Sequence, residues 1–138
     1  MIVAMLESLG FEVSGPTIIP DGPEIESVLL GGVHDSYDVI ITTGGTGLSP
    51  NDVTPEHTRE VITREIPGIA EAIRAVGRAA GIETAALSRG VAGMAGHTII
   101  INLPGSPGGV KDGLSVIAPL IVHAVEQARG GGDHPRVP

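Results

Sequence analysis

Two short glycine-rich stretches concentrate the residue types that could do chemistry. The first is Thr43-Gly44-Gly45-Thr46-Gly47, and the second runs Leu103-Pro104-Gly105-Ser106-Pro107-Gly108-Gly109. Each follows an apolar β-branched run, Val39-Ile40-Ile41 and Ile99-Ile100-Ile101. In open α/β sheets, ligands bind outside the carboxyl ends of the strands. Glycines there let backbone N–H groups approach a phosphate, and a following helix N-terminus adds partial positive charge. The pair reads either as two tight strand-to-helix turns or as two halves of a phosphate cradle. Asp52, five residues beyond Gly47, is either a loop carboxylate beside a helix start or a ligand sharing Mg²⁺ with a phosphate. Asp21 heads Asp21-Gly-Pro-Glu24, the spacing of a capping box. A capping carboxylate at that sheet edge can also touch a ligand. Ser88-Arg89 offers a hydroxyl and a fixed cation, or simply forms a surface turn.

Other chemistries fail on spacing. A dinucleotide-binding loop needs a third glycine where Gly45-Thr-Gly47-Leu-Ser-Pro50 has proline, and the sole lysine, Lys111, lacks the neighbours of a Walker loop. The five histidines, His34, His57, His97, His123 and His134, show no zinc-ligand spacing. Ser106 has no nucleophile-elbow pattern around it. With no cysteine in the chain, disulfides, thiolate catalysis and cysteine zinc sites are excluded together.

The elements that must position these residues follow from periodicity. Ile2, Met5, Leu6 and Leu9 predict an opening helix that stops at Gly10. Phe11 to Ile19 reads as a strand with an irregular middle at Gly15-Pro16. A helix capped by Asp21 follows, with Ile25, Val28, Leu29 and Val33 as its stripe. Asp38 to Thr43 reads as a strand buried on both faces. Thr54-Pro55-Glu56 starts another helix, with Thr54 as cap and Pro55 at the first position. Pro67-Gly68 interrupts it, and it resumes through Ile69, Ile73, Val76 and Ala80. Ile82 to Leu87 is predicted as a strand, Val91 to Gly96 as a hairpin arm, and Thr98 to Leu103 as a strong strand. The last helix carries Leu114, Ile117, Ile121 and Val125, with a kink expected at Pro119. Such alternation predicts a three-layer α/β/α sandwich on a mostly parallel sheet. It spans one domain, residues 1–129, with a flexible tail over 130–138.

Composition sets the outer limits. The chain has 138 residues, enough for one domain, and 41% hydrophobic residues supply an ordinary core. That core must be aliphatic, because the only aromatics are Phe11 and Tyr37, and stacking platforms for single strands are absent. Eight basic against 16 acidic residues give a net charge of −8, which phosphate backbones repel, so no nucleic-acid partner is expected. No apolar run is long enough to span a membrane, and the start has neither the basic residues nor the pattern of a signal peptide. A cytoplasmic enzyme fits these limits.

In order along the chain, Asp38-Val-Ile-Ile-Thr-Thr-Gly-Gly-Thr-Gly47, Asp52-Val-Thr-Pro-Glu56, Arg64-Glu-Ile-Pro-Gly68, Leu87-Ser-Arg89 and Leu103-Pro-Gly-Ser-Pro107 resemble the Mog/MoaB family of molybdenum-cofactor biosynthesis, with its gephyrin and Cnx G-domain relatives. Ile19-Pro-Asp21 and the last helix extend the likeness over nearly the whole chain. The resemblance implies molybdopterin adenylyl transfer from ATP with Mg²⁺, in a homotrimer, with a molybdenum-insertion protein as a candidate partner. It places Asp52 on Mg²⁺ and Asp21 in a second metal or orienting role. Thr43, Gly44, Gly45, Thr46 and Gly47 cradle phosphate, while Ser88, Arg89, Pro104, Gly105 and Ser106 line the rest, with Lys111 assisting. A non-catalytic molybdopterin-binding or scaffold trimer is the alternative. Family members begin with a strand upstream of the helix that here starts at Met1, so about 20 to 30 preceding residues, one strand and a loop, are expected.

Overall fold

The computed structural model describes residues 1–130. Four strands form one sheet in the order β1-β4-β3-β2: β1 Val39–Thr43, β2 Arg64–Glu65, β3 Ala92–Ala95 and β4 Thr98–Leu103. Six helices surround it: α1 Ile2–Ser8, α2 Glu24–His34, α3 Thr54–Val61, α4 Pro67–Ala79, α5 Pro107–Ile117 and α6 Ile121–Ala128. On β4, side chains alternate between two cores. Ile99, Ile101 and Leu103 pack with Ile69 and Ile73 of α4, Leu114 and Ile117 of α5 and Ile121 of α6, with α1 beside them. Ile100 faces the other way, onto Ile25 and Leu29 of α2 and Val61 of α3. The result is the expected α/β/α layering.

The sheet is mixed rather than mostly parallel. β1 pairs parallel with β4, whereas β4 with β3 and β3 with β2 are antiparallel. The hairpin at Gly96, with φ +60, turns the chain straight back. β1 is half-buried rather than buried on both faces, because among the described residues it has a strand on one side only.

Several local expectations are corrected. Residues 11–20 form no strand; Pro16 and Pro20 carry no N–H for a ladder, and the Gly15–Pro16 peptide is cis. Asp21 does not cap α2. Pro23 holds that position without a side-chain bond, and Ile25 and Glu26 donate instead to the Gly22 and Pro23 carbonyls. Thr54 is the first residue of α3, after Val53, and makes no cap bond. The short strand β2 lies where a helix interruption alone was expected. Residues Glu83–Leu87 form a 3₁₀ helix, not a strand. It lies so close to α4 that a β-carbon on Gly77 would stand 2.6 Å from the Ala85 methyl. At Pro119 the last helix breaks rather than kinks, and α5 and α6 meet at 59°. No single helix among the described residues is long and apolar enough to cross a membrane; in the α5–α6 pair, Ile117 and Ile121 are fully buried in the core. Of the expected flexible tail, residues 131–138 lie outside the described residues.

Candidate functional site

β1 and β4 run parallel in a register that sets Thr43 beside Leu103, so both glycine stretches leave the sheet at one place. They are tied together there. Gly44 N donates to the Leu103 carbonyl (3.0 Å), Thr43 Oγ1 donates to the Pro104 carbonyl (2.8 Å), and a β-carbon on Gly105 would stand 3.2 Å from the Gly44 α-carbon. Gly44 and Gly45 both have left-handed backbone, φ +91 and +68, a conformation that glycine adopts without strain. At Gly45 a side chain is excluded, since its β-carbon would collide with Thr54 Oγ1; Asp21 Oδ1 lies 3.5 Å from the same point. Thr54 N closes the turn by donating to the Gly45 carbonyl (3.2 Å).

The two aspartates flank this loop at different glycines. Asp21 is exposed beside Gly45; Asp52 is half-buried, with Oδ2 2.8 Å from where a Gly47 β-carbon would be. Asp52 Oδ2 also accepts from Ser49 N (3.1 Å), which fixes the carboxylate and leaves Oδ1 free of protein hydrogen bonds among the described residues. No group of three His, Cys, Asp or Glu among the described residues could hold a metal, so a protein-only cage is absent. A half-buried carboxylate with one open oxygen could share a Mg²⁺ with a ligand's phosphates.

A cavity of about 530 Å³ opens at this point, lined by Gly44 to Leu48, Asp52, Ser88 and Pro104 to Ser106. Its far wall is apolar: Ile73 and Gly77 of α4, with Ile82, Ala85 and Leu87. Thr46 is buried, and Ser88 Oγ lies 3.5 Å from its hydroxyl. Ser106 is committed locally: it caps α5 by accepting from Gly109 N (3.1 Å).

Four of the predicted residues fall outside the cavity lining: Asp21, Thr43, Arg89 and Lys111. Thr43 braces the loops from behind, and Lys111 is exposed on α5. Arg89 is a strut. Its Nε donates to the Gly47 carbonyl (2.9 Å), Nη2 to the Asp52 carbonyl (2.6 Å), and Nη1 and Nη2 grip both Glu56 oxygens (2.5 and 3.2 Å). Its N–H adds a bond to the Thr46 carbonyl (2.8 Å). The hydrogen bond from Arg89 holds the Glu56 carboxyl below the ordinary glutamate range, and the same bond raises the arginine. Glu56 on α3 thereby fastens the glycine loop through Arg89.

The cation that lines the cavity is Arg74, which spacing alone did not single out. The available signal was a charge within the apolar stripe of α4, where Ile69, Ala70, Ile73 and Gly77 are buried. Asn102 was also missed. Buried in mid-strand, it accepts from Val91 N (3.1 Å) and donates to Thr42 Oγ1 (2.9 Å) and Thr58 Oγ1 (3.1 Å). It pins β1, α3 and Val91, the residue just after the Ser88–Gly90 loop.

Comparison with known proteins identifies the family. Residues 1–123 match the family described as a probable molybdopterin binding domain. The chain is 37% identical over 128 residues to the molybdenum cofactor biosynthesis bifunctional protein of Chlorobaculum tepidum, covering 92% of this chain and 41% of that protein. It is 36% identical over 115 residues to the molybdopterin adenylyltransferase of Helicobacter pylori strain J99, covering 82% and 65%. The chain thus spans less than two thirds of the length of either relative. The solved structure of the molybdopterin biosynthesis Mog protein from Mycobacterium ulcerans superposes with a TM-score of 0.88 at 48% identity, over 92% of this chain and 83% of that one. With the family matched over most of its length and the fold shared, the chain belongs to the Mog/MoaB family of molybdenum cofactor biosynthesis proteins.

Proposed function

We propose that this chain, as one molybdopterin-binding domain over residues 1–129, transfers the adenylyl group of ATP to molybdopterin. An oxygen of the molybdopterin phosphate attacks the α-phosphorus of ATP; the bond to the β-phosphate bridging oxygen breaks, and pyrophosphate leaves. The observation that carries this reading is the clasp of Gly44 against Gly105 at the ends of two adjacent parallel strands, with Asp52 fixed beside it. Catalysis of phosphoryl-type transfer rests mainly on positioning and charge stabilisation, and rigid backbone loops suit both. The amides of Gly45 to Gly47 would bind phosphate oxygens, while Ser88 would orient the acceptor. Asp52 would hold Mg²⁺, and Asp21, beside Gly45 and outside the cavity lining, would serve a second metal or an orienting role. When bound, Mg²⁺ supplies charge neutralisation on the phosphates. The apolar wall of Ile73, Ile82 and Leu87 would take a flat ring and exclude water. The name of the Helicobacter relative supports the reaction. We place the reaction in the cytoplasm, in a homotrimer that hands its product to a molybdenum-insertion protein.

The test is direct: purified protein with ATP, molybdopterin and Mg²⁺ should release pyrophosphate in step with adenylated molybdopterin. Molybdopterin binding without either product would favour the alternative, a non-catalytic binding or scaffold trimer.

A further inference from the structure

The cavity is poor in positive charge for a ligand that carries phosphates. Its lining includes two carboxylates, Asp52 and Asp112, and, among the described residues, one Lys or Arg side chain, Arg74. The Arg89 guanidinium is spent on Glu56 and the Gly47 and Asp52 carbonyls and does not line the cavity. Arg74 is differently placed. It is half-buried, and its Nη1 donates to the carbonyls of Gly90 (3.1 Å) and Ser88 (3.4 Å). Those bonds set the guanidinium against the loop that carries Ser88, where a second cavity of about 240 Å³ begins. Among the described residues, Nε and Nη2 have no hydrogen-bond partner, and no carboxylate pairs with the group. An arginine has five N–H donors in a planar fork. A half-buried charge with most of that fork unused is an incomplete ion pair, because burial of a charge is costly until it is matched.

We propose that Arg74 receives a phosphate group of the bound ligand and is the cation that completes the site. The fork matches phosphate oxygens bidentately, and the two carbonyl bonds hold it in place before the ligand arrives. The proposal deepens the adenylyl-transfer reading and rests on it for the identity of the ligand. The charge at Arg74 itself is testable without turnover.

Pyrophosphate binding to the full chain is measured by calorimetry at two salt concentrations, with ATP and molybdopterin titrated separately to show which phosphate Arg74 serves. Arg74→Gln should weaken pyrophosphate at least about tenfold, the scale of a lost charge-assisted bond, and should flatten the salt dependence. Arg74→Lys should fall between. A carbonyl brace alone would leave the salt dependence unchanged. Binding by Arg74→Gln within about twofold of the parent, or no pyrophosphate binding by the parent at millimolar concentration, overturns the proposal. If Arg74→Gln does not fold, Arg74→Lys decides: it keeps the charge and loses the fork, so undiminished affinity overturns the proposal. A parent that binds pyrophosphate through Arg74 but forms no adenylated product sinks the transfer reading and leaves Arg74 standing. A parent that turns over, with Arg74→Gln unchanged in both kcat and KM, sinks Arg74 alone.

Discussion

At the scale of single residues, Asp52 and Gly45 separate chemistry from architecture. Asp52→Asn keeps an oxygen able to accept from Ser49 N, the one bond the carboxylate makes, so thermal unfolding should be nearly unchanged. The variant removes the negative charge proposed to hold Mg²⁺. Adenylyl transfer at saturating Mg²⁺ should fall at least about tenfold, or ~1.4 kcal/mol of barrier; turnover within about twofold takes Asp52 out of the metal site. Gly45→Ala acts the other way round. Its backbone is left-handed and its methyl would collide with Thr54 Oγ1, so urea unfolding should show a loss of ~1–3 kcal/mol. An unchanged midpoint would mean the loop gives way without cost. That both lie at the glycine loop was legible from sequence, because only a few residues separate them. The cations were not. Arg89 and Arg74 are the same residue type near the same loop, and only the tertiary position of Glu56 decides which guanidinium is consumed.

At the scale of elements, β4 was fully readable because Thr98–Leu103 is an unbroken run buried on both faces, which local preference and packing both favour. Residues 82–87 were misread because Ile82 and Leu87 flank alanines that suit either state. The approach of α4 at Gly77, invisible in sequence, selects the 3₁₀ turn. Pro119 was a stop rather than a kink because the halves on either side of it pack at 59°. The Glu56–Arg89 pair works at this same scale, joining α3 to the Ser88–Gly90 loop and the glycine loop at once. Its carboxyl is held below the ordinary glutamate value of 4.5 by the hydrogen bond from Arg89. A depressed carboxyl pKa stabilises the fold above the unfolded-state value, and the gain is lost as pH falls through the folded-state value. Glu56→Gln should therefore unfold at lower temperature than the parent at neutral pH, with the gap closing below pH 4.5. The half-exposed setting makes the gap modest. A Tm difference that persists unchanged into acid would assign the effect to packing instead.

For the whole molecule, the layering and the hairpin arm at Val91 to Gly96 were legible, and the antiparallel edge strand β2 was not. Strand-helix alternation encodes layers, whereas β2 is two residues long and leaves no periodic signal. Assembly was implied only by resemblance, and the surface gives it a physical motive. Single exposed apolar side chains such as Val122 are ordinary. Leu48 and Leu87 are not isolated: they are 66% and 51% exposed and line one cavity together with exposed Ile82. Val28 and Leu30 add further exposed apolar surface on α2. In a homotrimer, part of this surface would be covered by neighbouring copies, and its removal from water would help drive association. Light scattering coupled to size exclusion should give about three times the 14.0 kDa chain mass. A trimer that buries this apolar surface should survive high salt, whereas one held by ion pairs would weaken as screening increases. A single species at the chain mass at micromolar concentration would overturn the trimer. In that case the exposed Leu48, Ile82 and Leu87 would belong to the ligand alone, as the wall that a bound ring must cover.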